Sequence, residues 1–151
     1  MYVYRVSLTR YAKDLSGEGA RLNGGRWNHI GIPCLYTAES RALAALEYAA
    51  NVSLDDMPRA LSIATIEIPD NSWIEKSISQ LPGDWADPST PISTRDFGTL
   101  LLSAAKHLAI KLPSAVIHQE FNYIINPLHP AISDVRIIAI ADFAFDVRVK
   151  K

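Results

Sequence analysis

The segment GGRWNHIGIPCLYTAESRALAALE, from Gly24 to Glu47, decides the fold because it joins a turn, a strand and a helix. Pro33 opens a short apolar stretch, CLYTA, which predicts a strand over 34–38. Ser40 is a favourable N-cap for RALAALEYAAN, whose alanines and leucines predict a helix over 41–51. A strand that runs directly into a helix indicates a domain of mixed α and β structure.

The remaining strands are predicted on both sides of this segment. MYVYRVSL at the N-terminus alternates apolar and polar residues, as LSIATIEI does over 61–68, and this period of two is typical of half-buried strands. Three later stretches also read as strands: SAVIHQEF (114–121), NYIIN (122–126) and VRIIAIADFAFDVRV (135–149). Together they predict a mixed β-sheet.

Helical spacing is strongest in STRDFGTLLLSAAKHLAIKL, which predicts the longest helix over 93–112 with Ser93 or Thr94 as its cap. NSWIEKSISQL, over 71–81, shows weaker helical spacing before a proline-rich loop. The glycines and polar residues of 16–31 predict a loop. The expected fold class is therefore α/β (α+β), with several helices around a mixed sheet.

Length and charge narrow the possible functions. The chain has 151 residues and is predicted to form one domain over 1–151, because it shows no linker and no internal repeat. Fifteen basic residues oppose sixteen acidic ones, so no broad positive field favours direct nucleic-acid binding. No signal peptide or membrane span is recognisable, and we expect a cytoplasmic protein without membrane attachment.

Several common catalytic signatures are missing. The glycines do not fit GxGxxG or GxxxxGK[ST], and no HExxH or GxSxG occurs. The single cysteine, Cys34, predicts a core residue, and no Cys/His cluster has zinc spacing, so no metal is expected.

The GGRW tetrad is the first candidate binding site. Glycines allow a turn and a close approach to a ligand, and Arg26 offers a planar fork for bidentate phosphate contact. The alternative is a loop arginine beside a packing tryptophan, Trp27. Arg21 lies close enough in sequence to share phosphate binding, although a solvated loop charge is the more common role for such an arginine.

Other candidates follow along the chain. Tyr36 can cover a planar ring or lend its hydroxyl to a sugar, or it is a core tyrosine. Glu47 lies on the apolar stripe of its helix, where a carboxylate is rarely left unless it is paired or used. In LPSAVIHQEFNYIINPLHP, Ser114, Asn126 and His129 are turn or loop formers when taken singly, and together with Asn122 they indicate a site.

In combination these motifs resemble the RES-domain family, toxins of bacterial toxin–antitoxin pairs. The resemblance spans nearly the whole chain and rests on GGRWNHIGIPCLYTAESRALAALE, the LPGDW turn, DFGTLLL and LPSAVIHQEFNYIINPLHP. It implies that Arg26, Glu47 and Ser114 are the arginine, glutamate and serine that name the family, and that Tyr36 is the active-site tyrosine. His29 and Arg41 match no fixed requirement of the family.

The resemblance also implies a compact domain related to ADP-ribosyltransferases that consumes NAD⁺ and arrests growth. Some members use inorganic phosphate in place of water as acceptor, and some transfer ADP-ribose to protein. The implied partner is an antitoxin with a helix-turn-helix (Xre-like) domain, and a homodimer within a larger complex stays open.

The expected chemistry is cleavage of the nicotinamide N-glycosidic bond. Arg26 would hold the pyrophosphate or an acceptor phosphate, with Arg21 and Asn126 as further ligand contacts. Tyr36 would pack on the nicotinamide or its ribose, Glu47 would stabilise the oxocarbenium-like transition state, and Ser114 would hydrogen-bond the nicotinamide. Two alternatives remain. The first is a protein ADP-ribosyltransferase. The second is a protein that does not act on NAD⁺, either a ribonuclease-like toxin using His118 or His129 or a binding module without catalysis.

Overall fold

The structure, a computed structural model, describes residues 1–53 and 60–149. Within these ranges seven strands form one sheet, and three α-helices and three short 3₁₀ turns complete the fold. The strands are β1 (Tyr2–Leu8), β2 (Leu35–Ala38), β3 (Leu61–Glu67), β4 (Trp73–Glu75), β5 (Ala109–Pro113), β6 (Phe121–Ile125) and β7 (Arg136–Phe143). The helices are α1 (Glu18–Asn23), α2 (Arg41–Asn51) and α3 (Ile92–Ala104).

The strand order in the sheet is β4-β5-β6-β2-β1-β3-β7. β4 and β5 run parallel, whereas the other neighbours are antiparallel, so the sheet is mixed. The predicted α+β domain with a mixed sheet is confirmed.

β1 and β2 diverge in the middle of the sheet. β1 pairs with β3 from Tyr2 to Leu8, but it meets β2 at a single register pair, Tyr4 with Ala38. Beyond that pair the two strands separate. The opening gives side chains of both strands access to a common cleft.

Buried apolar side chains pack on both faces of the sheet. One cluster includes Val3, Ile66 and Ile125, and the other face carries Trp27 and Leu112. Burying each such side chain contributes about 1.5–3 kcal/mol relative to leaving it in water. The cleft is therefore built on a rigid, close-packed support.

Helix α3 approaches the GGRW loop very closely at Gly98. A Cβ at this position would lie 2.0 Å from the carbonyl oxygen of Trp27, a distance that no side chain tolerates. The Trp27 ring is buried and packs edge-on against Phe97. Gly98 thus fixes the loop that carries Arg26 against α3.

The predicted helix over 93–112 is too long, although α3 is the longest helix in the described ranges. The helix ends at Ala104 because Ala105 adopts a left-handed conformation, and the following AIKLP forms β5. Ser93 and Thr94 are not the caps: Ser93 donates to Asp84, and the N-cap is Pro91.

Four further predictions of secondary structure were wrong. NSWIEKSISQL forms β4 and a 3₁₀ turn, because WIE pairs in parallel with β5. SAVIHQEF is a turn rather than a strand, and β6 begins only at Phe121. The predicted loop over 16–31 contains α1, and the last strand ends at Phe143.

Strands β1, β2 and β3 and helix α2 lie where the sequence predicts them, within one residue of the predicted ends, and Ser40 caps α2 by accepting from the Leu43 N–H. Cys34 is buried as predicted. In the described part of the chain, no helix is long and apolar enough to cross a membrane.

Candidate active site

A cleft of about 920 Å³ lies where β1 and β2 diverge, and it is bounded by α2, the GGRW loop and the segment before α3. Three predicted site residues line it: Arg26, Tyr36 and Glu47. Its volume falls at the upper end of the range for small-molecule sites, which suits an extended ligand.

Glu47 lies on α2, and its carboxylate is held by one residue directly after β5 and by one residue of β6. The Ser114 hydroxyl donates to Glu47 Oε1 at 2.7 Å, and Asn122 Nδ2 donates to the same oxygen at 2.6 Å. Among the described residues no hydrogen bond reaches Oε2. One carboxylate oxygen is thus fixed by two donors, while the other accepts no hydrogen bond from the described residues.

Ser114 contacts the Glu47 carboxylate but does not line the cleft. Its side chain is fully buried, and its oxygen also accepts from the backbone N–H groups of Val116 and Ile117. The hydroxyl proton is already given to Glu47. Ser114 is therefore placed to position the carboxylate, and the expected contact with nicotinamide does not fit this geometry.

The sequence placed Asn122 in a group of residues that indicates a site, but it gave Asn122 no role of its own. Asn122 lies on β6 directly opposite Ala38 of β2, and it lines the cleft beside Glu47. The available signal was its period-two spacing with Ile124, which places both side chains on the face that carries the cleft.

Arg26 is anchored by the rim of the cleft. Its Nη1 donates to the carbonyl oxygens of Trp85 at 2.9 Å and Asp87 at 2.8 Å. Burial lowers the pKa of the guanidinium from its usual value, while the negative charges of Glu47 and Asp87 act in the opposite direction. Arg26 stays charged at neutral pH because the arginine pKa lies far above 7.

Tyr36 lines the cleft, and its hydroxyl is already engaged by the protein. The hydroxyl donates to Asn28 Oδ1 at 2.6 Å and accepts from the Trp27 N–H at 3.0 Å. Burial raises the pKa of this phenol well above its usual value, so it stays protonated. A ring contact to a ligand fits this geometry better than a hydrogen bond to a sugar.

Gly25 makes room for this tyrosine. A Cβ at Gly25 would lie 2.6 Å from the Tyr36 hydroxyl oxygen. Asn28 completes the arrangement, since it is fully buried and its Nδ2 donates to the carbonyl oxygens of Ala20 and Ile32. The absence of a side chain at Gly25 therefore allows the loop to pack on Tyr36.

Two predicted ligand contacts lie away from the cleft. Arg21 forms a bidentate ion pair with Glu18 on α1. Asn126 is buried, donates to the Leu102 carbonyl oxygen and accepts from the Leu128 N–H. The structure does not bring Arg21 or Asn126 to the cleft, because the polar groups of both serve local structure.

Three histidines and Arg41 also have local partners. His29 pairs with Asp96 at 2.6 Å, and His129 Nδ1 accepts from the Ala131 N–H. His118 packs on the Trp85 ring with centroids 4.9 Å apart. The Arg41 guanidinium lies 4.5 Å from the centroid of the Tyr4 ring, which itself lines the cleft.

Two more arginines, Arg5 and Arg95, line the cleft and were not predicted as site residues. Within the described ranges, no carboxylate lies within 4.0 Å of the guanidinium of Arg5, Arg26 or Arg95. Partly buried charges are usually paired, so three unpaired arginines make the cleft attractive to anions.

Unpartnered polar atoms are concentrated in the same place. Three buried side-chain atoms in the described ranges lack a hydrogen-bond partner: Arg5 Nε, Arg95 Nε and Asn122 Oδ1. All three residues line the cleft. In the described part of the chain, no group of three or more His, Cys, Asp or Glu side chains could hold a metal ion.

This α+β domain combines a mixed sheet with a cleft that attracts anions and holds one anchored carboxylate. Residues 2–147 match the RES domain, and the chain belongs to the RES domain family. The resemblance seen in the sequence is confirmed.

Curated relatives cover almost the whole chain. A protein named Toxin Res from Photorhabdus laumondii is 34% identical over 100% of this chain and 98% of its own length. A protein named Prs ADP-ribosylating toxin from a Sphingobium species is 32% identical over 93% of this chain and 89% of its own length.

A solved structure shares the fold. A chain in the crystal structure of the M. tuberculosis MbcT–MbcA toxin–antitoxin complex superimposes with a TM-score of 0.67 at 22% identity, covering 95% of this chain and 84% of that chain.

Proposed function

We propose that this chain is the toxin of a type II toxin–antitoxin pair and that it arrests growth by cleaving the nicotinamide N-glycosidic bond of NAD⁺. Membership of the RES family supports the toxin assignment, as do relatives that carry the name toxin. The anchored carboxylate of Glu47 in a cleft of dinucleotide size is the observation that carries the chemistry.

The bond to be broken joins the ribose anomeric carbon to a pyridinium nitrogen. Nicotinamide leaves with the bonding electrons as a neutral molecule, so no general acid is required and a single carboxylate suffices. The ribose gains oxocarbenium character in the transition state, and a preorganised negative charge near it lowers the barrier. Glu47, with one oxygen fixed and one left for the ligand, is suited to this role.

The acceptor then forms a bond to the anomeric carbon. With water, its oxygen becomes the new hydroxyl group of ADP-ribose and the released proton passes to Glu47 or to solvent. With inorganic phosphate, a phosphate oxygen forms the bond and the product is ADP-ribose 1-phosphate. No metal ion is needed for either route.

Arg26 and Tyr36 would hold the dinucleotide for this reaction. Arg26 keeps donors beyond Nη1 for the pyrophosphate or an acceptor phosphate. The Tyr36 ring would cover the nicotinamide or its ribose. Gly25 supports this arrangement indirectly, since it allows the loop to pack on Tyr36.

A protein side chain is the alternative acceptor, and the name of the Sphingobium relative favours this second candidate. Both reactions use the same cleft and release nicotinamide. We expect purified protein incubated with NAD⁺, with and without phosphate, to release ADP-ribose or its 1-phosphate in chromatographic analysis. Label from NAD⁺ found on a protein band instead would favour ADP-ribosylation, and intact NAD⁺ would contradict both.

The proposed partner is an antitoxin with an Xre-like helix-turn-helix domain, supported by the likeness to a chain from a toxin–antitoxin complex. Two toxin copies in such a complex are part of the proposal. Co-expression with the protein encoded beside this gene should restore growth and co-purify as a complex whose mass reports the stoichiometry. Toxicity that persists during co-expression would contradict the pairing.

A further inference from the structure

One short loop, 85–90, holds two of the cleft arginines. Arg26 donates to the carbonyl oxygens of Trp85 and Asp87, and Arg95 Nη2 donates to Thr90 Oγ1 at 3.1 Å. Arg26 comes from the GGRW loop and Arg95 from the first turn of α3. Their common anchor places both guanidinium groups along the same rim of the cleft.

Hydrogen bonds within the loop hold its conformation. Asp87 Oδ1 accepts from the Ser89 N–H at 2.8 Å, and the Thr90 N–H donates to the Asp87 carbonyl oxygen at 3.2 Å. Thr90 has a φ of 51°, which is rare for a β-branched residue. Its hydroxyl, the acceptor for Arg95, is held by donation to the Ser89 carbonyl oxygen.

Arg95 has unused hydrogen-bonding capacity. Its Nε is buried without a partner, and no carboxylate of the described residues lies within 4.0 Å of its guanidinium. Arg21 and Arg148, by contrast, each form an ion pair with a nearby carboxylate. A partly buried guanidinium without an anion is best explained by an anionic ligand.

We propose that Arg95 binds, together with Arg26, the pyrophosphate of the dinucleotide, so that the 85–90 loop sets a two-arginine phosphate subsite in the cleft. The inference rests on the proposed function for the identity of the ligand. Two forked guanidinium groups match the several oxygens of a pyrophosphate better than one. The subsite selects nucleotides that carry this group over nucleosides.

The subsite also predicts different kinetic roles for Arg95 and Glu47. Arg95 acts on binding, away from the bond that breaks, whereas Glu47 acts on the bond itself. Removing Arg95 should raise KM for NAD⁺ more than it lowers kcat. The cleavage of nicotinamide riboside, which has no phosphate, should be unaffected.

Equilibrium titration with ADP and with adenosine tests the subsite without any turnover. In Arg95→Ala we expect ADP to bind about tenfold to a hundredfold more weakly, the range for a lost hydrogen bond to a charged group. Adenosine should bind equally to both proteins. Arg136→Ala is the matched control, because Arg136 is exposed on β7 and does not line the cleft.

The outcomes separate this inference from the proposed function. Weaker ADP binding in Arg95→Ala supports the subsite even if the parent protein leaves NAD⁺ intact. Equal ADP affinity in a folded variant, or no ADP binding by the parent protein, would overturn it, whether or not NAD⁺ is cleaved. If Arg95→Ala does not fold, Arg95→Gln keeps a donor for Thr90 and the same comparison applies.

Discussion

Ser114 Oγ donates a 2.7 Å hydrogen bond to Glu47 Oε1, although the two residues are 67 positions apart in the chain. Ser114 follows β5 directly and Glu47 lies on α2, so the bond ties the helix to the far half of the sheet. Asn122 on β6 donates to the same oxygen. The orientation of the carboxylate is therefore a product of the whole fold.

Ser114→Ala should lower kcat for NAD⁺ about tenfold and leave KM unchanged, because Glu47 loses one of its two donors but the ligand contacts stay. The free energy of unfolding should fall by about 1–3 kcal/mol, since the Val116 and Ile117 N–H groups lose their acceptor. Steady-state kinetics and urea unfolding measure the two effects. Ser133→Ala, on an exposed turn, is the control, and a parental kcat in Ser114→Ala would contradict the positioning role.

Two helical glycines should respond in opposite directions to alanine. Gly98→Ala places a methyl group against the Trp27 carbonyl oxygen, and we expect the free energy of unfolding to fall by about 3 kcal/mol or more. Gly19→Ala adds a methyl group that meets no atom within 4 Å. It should raise the free energy of unfolding by about 0.4–1 kcal/mol, because alanine has fewer accessible conformations than glycine in the unfolded chain. Thermal and urea unfolding of both variants provide the test. Similar stability of the two would contradict the close approach of α3 to the GGRW loop.

Stability at alkaline pH should depend on Cys34. Burial raises the pKa of this thiol from 9.0 to about 12. Above pH 9 the unfolded chain loses the thiol proton while the folded protein keeps it, so the free energy of unfolding falls as pH rises from about 9 to about 12. Urea unfolding across this range should show a shallower decline for Cys34→Ala than for the parent protein. Equal slopes would mean that the thiol is not protected by burial.

Local signals explain which elements could be predicted. β1 and β3 follow from alternation, and α2 follows from the Ser40 cap and its alanines. The long helix was extended through AIKLP because its apolar spacing continues, and only pairing with β4 and β6 makes that stretch a strand. Pairing between distant segments leaves little trace in a local pattern.

Local sequence patterns likewise predicted only some of the residues that line the cleft. Arg26, Tyr36 and Glu47 were identified because they occur in one continuous motif that resembles a family. Arg95 was missed because its importance depends on the 85–90 loop. Arg5 was missed because alternation along β1 assigns it to solvent, whereas the divergence of β1 from β2 exposes it to the cleft.

Nicotinamide release from saturating NAD⁺ by the parent protein and by Glu47→Gln tests the central claim most directly. Glutamine keeps the shape and the oxygen that accepts from Ser114 and Asn122, but it removes the negative charge. We predict that kcat falls about a hundredfold or more, at an unchanged melting temperature, while Asp142→Asn on β7 behaves like the parent. A folded Glu47→Gln protein that releases nicotinamide at the parental rate would contradict the account.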